Sequence, residues 1–373
     1  MDNLTHSLVG LAAAKAGLER GSPYATAVCV VAANLPDGDI VMRAAGSWVY
    51  LKHHRGLTHS VVGTLALAVL LPLAVYAAER LWSRLRGRAP RARLGGLLVA
   101  SLVASATHPL LDWTNSYGVR PLLPWDSTWF YGDLVFILDP WLWLSLGGAC
   151  FLLTATTRRR TFAWASLALV LTAAILLLPG RGGMQYPLVS RALWLLGIAG
   201  LFVAHRARLG ARLGSPVAAV ALALVVVYWG ALAVLHAAAV TSAHAAFSDN
   251  MLRGGEGFVR VAAMPTLADP TRWTCVVETQ RDFIRFQVTL FDRAPRDVQR
   301  VEKSQAAAEA AARAASSDYA AAVFLDFARF PASRLTRDCA GQTLLQFADL
   351  RFALPGARRG NFTLELPVAE TDE

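Results

Sequence analysis

From the N-terminus to about residue 240, long apolar stretches alternate with short polar ones. An α-helix rises about 1.5 Å per residue, so a hydrocarbon core of ~30 Å needs about 20 apolar residues to cross it. The pattern predicts eight helices: a short hairpin that turns at Gly21-Ser22-Pro23, followed by six longer helices embedded in a membrane. The predicted helices lie near residues 4–18, 23–36, 59–80, 94–112, 139–157, 161–179, 191–206 and 216–239.

After residue 245 the apolar runs become short and alternate with polar residues. Residues 284–290 read IRFQVTL, which has the two-residue period of a half-buried strand. An alanine-rich stretch at 304–315 predicts a helix. Patterns similar to that of 284–290 predict further strands near residues 320–328, 343–353 and 361–367.

The composition agrees with a membrane protein. Of 373 residues, 55% are hydrophobic and 17% are charged, whereas globular proteins carry about 25% charged residues. The start, MDNLTHSLVG, lacks the basic region of a signal peptide, so the first helix is predicted to be retained. The predicted fold is an all-α polytopic membrane helical bundle of about eight helices, residues 1–240, with a small C-terminal α+β extracytoplasmic domain, residues 245–373.

The basic residues indicate how the helices are oriented. Before residue 239, the loops on one side carry fourteen Lys and Arg residues, and those on the other side carry six. Cytoplasmic loops are enriched in Lys and Arg, so the Arg-rich side is predicted to be cytoplasmic. This orientation predicts a multi-pass inner-membrane protein with a periplasmic C-terminal domain. It also explains the net charge of +10 through topology, so no nucleic-acid partner is expected.

All seven aspartates before residue 239, and five of the seven histidines there, fall on the predicted outer side. Imidazole and carboxylate are usual zinc ligands, and they also suit manganese and iron. His108 and Asp112 are four residues apart and therefore share one face of a helix. The pattern predicts a divalent metal site, with zinc first and manganese or iron as alternatives. The predicted ligands are His6, Asp37, His59, His108 and Asp112.

Each of these residues also has an ordinary structural explanation. A single histidine is common at a membrane interface, and Asp37 and Asp39 suit a turn or a helix cap. His108 with Asp112 would also serve as a hydrogen-bonded pair between helices. Arg55 is explained equally well by an ion pair with a carboxylate and by binding of an anionic substrate group. The convergence of four segments on one side favours the metal site.

The outer loop at residues 112–140 is rich in aromatic residues, which is typical of a membrane interface, with a lipid-facing groove as the alternative. Within this loop, Asp133 and Asp139 are candidates for additional ligands. Asp139 precedes a proline, which favours a helix N-cap for it. Cys275 and Cys339 would share an oxidising compartment, but the sequence leaves a disulfide between them open because it does not give their distance.

Four ordered motifs resemble the YdjM/YbcI-like inner-membrane proteins, and the resemblance extends over about residues 1–145. It implies a metal-dependent hydrolase. The His/Asp arrangement of that family is similar to that of zinc-dependent phospholipase C and single-strand nuclease enzymes. Their helical bundles use an HxxxD ligand pair, which here would be His108 and Asp112. The motifs are DNLTHS (2–7), ANLPDGD (33–39), HRGLTHS (54–60) and HPLLDWTNSYGVRPLLPW (108–125).

The motifs together predict a membrane-bound metal-dependent hydrolase at the periplasmic face. A phosphoester of a membrane lipid is the expected substrate, since the site would lie at headgroup level, and an acyl ester or an amide is the alternative. Asp39 would be a further ligand or the general base, and His54 and Arg55 would assist the leaving group or bind an anion. The alternative is a non-enzymatic metal-binding scaffold or a transporter. A transporter is expected to have helices that are broken deep in the membrane. The helices predicted within residues 140–239 look unbroken and contain no acidic residue, which disfavours a transporter. The oligomeric state is left open.

Overall fold

The computed structural model describes residues 1–177, 186–254, 258–357 and 362–368, and it is mostly helical with a β-sheet region near the C-terminus. The α-helices are α1 (Asn3–Lys15), α2 (Ala25–Ala32), α3 (Ser47–His53), α4 (Val61–Leu85), α5 (Leu94–Trp113), α6 (Pro140–Thr154), α7 (Arg158–Leu177), α8 (Leu188–Arg206), α9 (Leu209–Leu213), α10 (Pro216–Gly254), α11 (Gln305–Ser317) and α12 (Tyr319–Phe327). The 3-10 helices are Leu18–Gly21, Leu35–Ala45 and Leu57–His59. The strands are β1 (Phe258–Thr266), β2 (Asp269–Thr279), β3 (Asp282–Thr289), β4 (Asp292–Glu302), β5 (Pro331–Arg337), β6 (Thr343–Asp349) and β7 (Thr363–Pro367).

The predicted helices of the N-terminal region are present, but several ends differ. Helix α4 begins at Val61 rather than 59 because the Ser60 hydroxyl accepts a hydrogen bond from Gly63 N and caps the helix. Helix α10 continues past 239 to Gly254. Residues 178–179, the predicted end of α7, lie outside the described residues.

The second predicted helix, 23–36, does not form one continuous helix. Helix α2 ends at Ala32, and the 3-10 helix Leu35–Ala45 follows at a bend of 46°. Pro36 and Gly38 therefore lie inside this second, tighter helix.

Five helices among the described residues are long and apolar enough to cross a membrane, or six if the bent pair is one span. Helix α6 is apolar but has only 15 residues. Large apolar side chains on the long helices are exposed, for example Leu85 (73%), Phe162 (74%) and Leu169 (70%). Such surfaces are typical of lipid contact, which supports a membrane location. The periplasmic placement of the C-terminal part stays a prediction.

The chain forms two compact units. The first, here called the membrane unit, comprises Met1–Gly38, Arg55–Ala233 and Thr266–Pro270. Small residues allow its helices to pack closely. A Cβ on Gly10 would lie 2.6 Å from the Cys29 carbonyl oxygen, and one on Gly96 would lie 2.1 Å from that of Gly21. These close contacts pack α1 against α2, and α5 against the 3-10 helix Leu18–Gly21. They therefore help to set the positions of the ends of α1 and α5 that carry the predicted ligands.

The second, here called the C-terminal unit, comprises Asp39–His54, Val234–Pro265 and Thr271–Glu373. It contains one sheet in the order β1-β2-β3-β4 and another in the order β5-β6-β7. The predicted strand at 284–290 and the predicted helix at 304–315 correspond to β3 and α11, which confirms an α+β character. The strands predicted near 343–353 and 361–367 are β6 and β7, although residue 361 lies outside the described residues.

The strand predicted near 320–328 is wrong, because these residues form helix α12. The Asp318 carboxylate accepts a hydrogen bond from Ala321 N at 2.8 Å and caps the helix. Phe324 and Phe327, three residues apart, are both buried on one face. A short apolar run is compatible with a buried helix or a buried strand, so its pattern alone did not decide between them.

The two cysteines of the C-terminal unit are free thiols. Cys275 lies in the core of the first sheet and Cys339 is exposed. Burial raises the pKa of the Cys275 thiol to about 12. The disulfide that the sequence left open is therefore not formed in this structure.

Candidate metal centre

The predicted ligands lie on four segments of the membrane unit. Asp2 caps α1 by accepting a hydrogen bond from Thr5 N at 3.0 Å, which places His6 in the first turn of that helix. Asp37 lies in the 3-10 helix after α2, and His59 ends the 3-10 helix before α4. His108 and Asp112 share one face of α5, with Pro109 inside the helix between them. Each ligand thus comes from a helix or from the turn beside one.

Four of these residues converge. One ligand atom from each of Asp37, His59, His108 and Asp112 lies within 4.8 Å of the others. His59 Nε2 is 3.4 Å from Asp37 Oδ1 and 3.3 Å from Asp112 Oδ2. His108 Nε2 is 3.6 Å and 3.5 Å from the same two oxygens, and 3.1 Å from His59 Nε2. Ligands about 2.1 Å from a tetrahedral zinc ion are about 3.4 Å apart, so these separations fit a bound cation.

The hydrogen bonds of His108 and Asp112 also fit a cation. His108 Nδ1 lies 2.6 Å from the Ala33 carbonyl oxygen, which can only accept, so Nδ1 donates. In the neutral ring Nε2 is then an acceptor, the arrangement usual in metal-binding histidines. Asp112 Oδ2 is buried and has no hydrogen-bond partner among the described residues. Acceptor atoms that face each other in a buried place repel one another, and a divalent cation between them removes that repulsion.

His6 lies against this group from the side of α1. Its ring stacks on that of His108, with 3.8 Å between centroids, and its Nε2 is 3.4 Å from Asp112 Oδ1. The residue is fully buried, and neither ring nitrogen has a hydrogen-bond partner among the described residues. His6 therefore contacts the other oxygen of Asp112 and is not part of the four-atom convergence.

Arg55 forms the ion pair that was one of its two predicted explanations. Its Nη2 is 3.1 Å from Asp112 Oδ1, and the amino group of Met1 contacts the same oxygen. Arg55 Nη1 donates to Asn115 Oδ1 at 2.9 Å and to the Asp112 and Gly118 carbonyl oxygens at 3.3 Å. The side chain is 3% exposed. Arg55 thereby fixes one oxygen of Asp112, and the other oxygen faces His59 and His108.

Asp39 and His54 pair with each other within the C-terminal unit. His54 Nδ1 lies 3.0 Å from Asp39 Oδ1 and 3.3 Å from Oδ2. The His54 ring stacks on Tyr50 at 4.7 Å between centroids. The chain links this pair to the membrane unit at both ends, since Asp37 is two residues before Asp39 and Arg55 directly follows His54. Their predicted catalytic roles stay predictions.

Three polar partners of the site residues were missed in the sequence. Asn3 Nδ2 donates to Asp37 Oδ2 at 3.1 Å, and Thr58 Oγ1 lies 3.0 Å from His59 Nδ1. Asn115 accepts from Arg55, as described above. All three lie inside the motifs quoted above, so their place in a motif could have marked them as candidates. The sequence does not show which site residue each one contacts, because that depends on how the helices pack.

Asp139, in the loop after α5, is the N-cap of α6, which confirms the predicted cap. Asp139 accepts from Trp141 N at 2.8 Å and from Leu142 N at 3.1 Å, and Tyr228 Oη donates to its other oxygen at 3.0 Å. Asp133 is buried and has a positive φ of 53°. Neither residue is in the four-residue group.

Comparison with known proteins agrees with the motifs. Residues 1–183 match the family described as YdjM inner membrane protein, which confirms the resemblance noted in the sequence. A stretch of 153 residues is 31% identical to an uncharacterized protein, YfhP, of Bacillus subtilis (strain 168). The match covers 39% of this chain and 44% of YfhP, so the chain spans less than half the length of this relative. No solved structure matches the chain.

Proposed function

We propose that this chain, whose residues 1–183 match the family described as YdjM inner membrane protein, is a membrane-bound metal-dependent hydrolase. The observation that carries the proposal is the convergence of Asp37, His59, His108 and Asp112, whose ligand atoms have the separations expected around one cation. His6 and Arg55 complete the surroundings of Asp112.

Each residue has a stated task in this proposal. Asp37, His59, His108 and Asp112 hold a divalent cation, with zinc favoured by the mixed nitrogen and oxygen donors. When bound, such a cation acidifies a water molecule and polarises the oxygen of the group under attack. Arg55 holds one oxygen of Asp112, so that the other oxygen points to the cation. His6 stacks on His108 and keeps its ring in place, or adds a fifth ligand.

The proposed substrate is a phosphoester of a membrane lipid. Among its described residues, the membrane unit has four complete candidate spans, α4, α5, α7 and α8, together with much of α10. A site at the start of α4 and the end of α5 suits a lipid headgroup. A phosphoryl oxygen is a good ligand for a hard or borderline cation. Asp39 is proposed as the general base and His54 as a group that assists the leaving oxygen. An acyl ester or an amide is the alternative substrate.

The test compares detergent-purified wild type with His108→Ala and Asp112→Asn. The metal content is measured by elemental analysis, and phosphate or headgroup release is followed on micelles of phosphatidic acid and phosphatidylglycerol, with a fatty-acyl ester as a second arm. We expect about one equivalent of metal in wild type and less than a tenth of that in either variant. Hydrolysis should fall at least about 100-fold, because the reaction depends on the cation.

The matched control is His205→Ala, since His205 lies on α8 and its ring contacts Phe151 rather than the site. It should keep both metal and activity. Hydrolysis that survives in both site variants would end the enzyme proposal. Metal that is lost from the variants, with no wild-type hydrolysis of any substrate, would favour the alternative of a metal-binding scaffold or transporter.

A further inference from the structure

A short part of the N-terminal region belongs to the C-terminal unit. Residues Asp39–His54 cluster with Thr271–Glu373, although the chain before and after them belongs to the membrane unit. This segment, here called the docked segment, contains the Asp39–His54 pair. It lies in sequence between the proposed ligands Asp37 and His59.

The docked segment is held mainly through α3. That helix packs against α12, and Trp48 contacts the core cluster that contains Phe324 and Phe347. Leu51, three residues after Trp48, is 5% exposed. Lys52 Nζ lies 5.5 Å from the centroid of the Tyr319 ring. Residues 51 and 52 lie three and four positions after Trp48, so all three side chains are on one side of α3.

Helix α3 is too short to be stable as an isolated helix. It has seven residues, and isolated helices shorter than about 12 residues are marginal in water. The preceding Gly46 has no side chain that could cap it, and its φ is 117°. The order of α3 therefore depends on its contacts with α12 and the adjoining core.

The same helix also positions the His54 ring. His54 N donates to the Tyr50 carbonyl oxygen at 2.7 Å, and the His54 ring stacks on the Tyr50 ring. The guanidinium of Arg43 lies 5.1 Å from the centroid of the Tyr50 ring. The ring is thus ordered by α3, and it meets Asp39 at 3.0 Å. A displacement of α3 would move His54 relative to Asp39.

We propose that the C-terminal unit is a positioning element of the hydrolase, which holds the docked segment through Trp48 and thereby orients the Asp39–His54 pair. This inference rests on the proposed function. It assigns Trp48 as a positioning residue that acts through His54, and it gives the β-sheet region a role in the reaction beyond stability.

The test uses the full chain in detergent with Trp48→Ala, Trp48→Phe and a control. The control is Phe291→Ala, which truncates an aromatic residue of the same unit that is 86% exposed in the turn between β3 and β4. Trp48→Ala should lower kcat about 10- to 100-fold, because small misplacements of catalytic groups have effects of this size. KM and metal content should stay unchanged. Trp48→Phe should restore most of kcat, and Phe291→Ala should match wild type.

A double-mutant cycle separates positioning from a general loss of stability. If Trp48 acts through His54, Trp48→Ala should have no further effect on kcat in a His54→Ala background. Effects that multiply would show that Trp48 acts by another route and would overturn the inference. A loss of metal in Trp48→Ala would overturn it as well.

Hydrogen exchange makes the inference testable apart from catalysis. The amides of residues 47–54 should exchange at least about 10-fold faster in Trp48→Ala than in wild type, whereas those of α5 should not change. If exchange at residues 47–54 is unchanged in Trp48→Ala, the proposed positioning role of Trp48 is wrong, even if the wild type is a hydrolase. If wild type hydrolyses nothing, the proposed function fails, and faster exchange at 47–54 would still support the docking by Trp48.

Discussion

Each unit contains one fully buried aspartate with an arginine beside it, and the two sites differ in how their polar atoms are satisfied. In the C-terminal unit, Asp349 Oδ2 accepts from Arg351 Nε at 2.8 Å, from Arg351 Nη2 at 2.6 Å and from Arg329 N at 3.2 Å. Its Oδ1 accepts from Arg351 N at 3.1 Å. In the membrane unit, Asp112 Oδ1 is paired with Arg55, but Oδ2 faces two histidine nitrogens and has no hydrogen-bond partner among the described residues.

The difference separates a structural ion pair from a candidate binding site. A buried charge is tolerated when donors satisfy each acceptor atom, as they do for Asp349. Around Asp112 Oδ2 the nearest polar groups are histidine rings and the Asp37 carboxylate, and a cation between them would complete the cluster. The two sites should therefore respond differently to mutation and to metal.

The largest effect is expected from Arg351→Met. It leaves Asp349 buried and without its main donor, which typically costs about 3–5 kcal/mol. Unfolding of the C-terminal unit, followed by the fluorescence of the buried Trp273, should shift accordingly to lower denaturant concentration. The apo form of Asp112→Asn should lose less stability than this, because the amide oxygen can still accept from Arg55 and the change removes a charge whose Oδ2 no donor satisfies. A loss in apo Asp112→Asn as large as that of Arg351→Met would break the comparison.

Metal should stabilise the membrane unit and have no direct effect on the Asp349–Arg351 pair. A ligand at 100 times its Kd stabilises the state that binds it by about 2.7 kcal/mol. Addition of zinc to chelator-treated wild type should therefore raise the thermal midpoint, and a chelator should reverse the change. His108→Ala should show neither response, and Arg351→Met should keep both. An equal shift in His108→Ala would place the metal elsewhere.

His6→Phe sharpens the role of the ring stacked on His108. Phenylalanine can preserve the stacking but has no nitrogen to face Asp112. If His6 is a ligand or positions one, metal affinity should fall about 10-fold, the lower end of the range for groups next to metal ligands. Competition with a fluorescent chelator measures the change, and His205→Phe is the matched control. Unchanged affinity would make His6 a packing residue.

The sequence was sufficient for the parts of the site that depend on local spacing. His108 and Asp112 share a face because four residues make about one helical turn. The topology predicted from the arginines placed the aspartates and histidines on one side, and four of these residues converge in the structure. Other contacts had no local signature. Arg55 is held in part by the Asp112 and Gly118 carbonyl oxygens, which every residue carries.

The fold was predictable to a similar degree. Long apolar runs gave the helices, and alternation gave β3, but α12 was misassigned because a short buried run fits helix and strand alike. The docked segment was not predicted at all. Its assignment depends on contacts of Trp48 with residues near the other end of the chain, and periodicity within the segment carries no such information.

The smallest effect is expected at an exposed Asp–Arg pair in the C-terminal unit. Arg296 Nη2 lies 2.6 Å from Asp292 Oδ2, and this hydrogen bond lowers the pKa of the Asp292 carboxyl. A lowered pKa contributes stability above the unfolded value of about 3.9, and this contribution is lost as the pH falls through the folded pKa. Because solvent screens the pair, Arg296→Gln should leave the unfolding midpoint at pH 7 almost unchanged and slightly reduce its dependence on acid. A loss at pH 7 comparable to that of Arg351→Met would show that burial is not what distinguishes the two pairs.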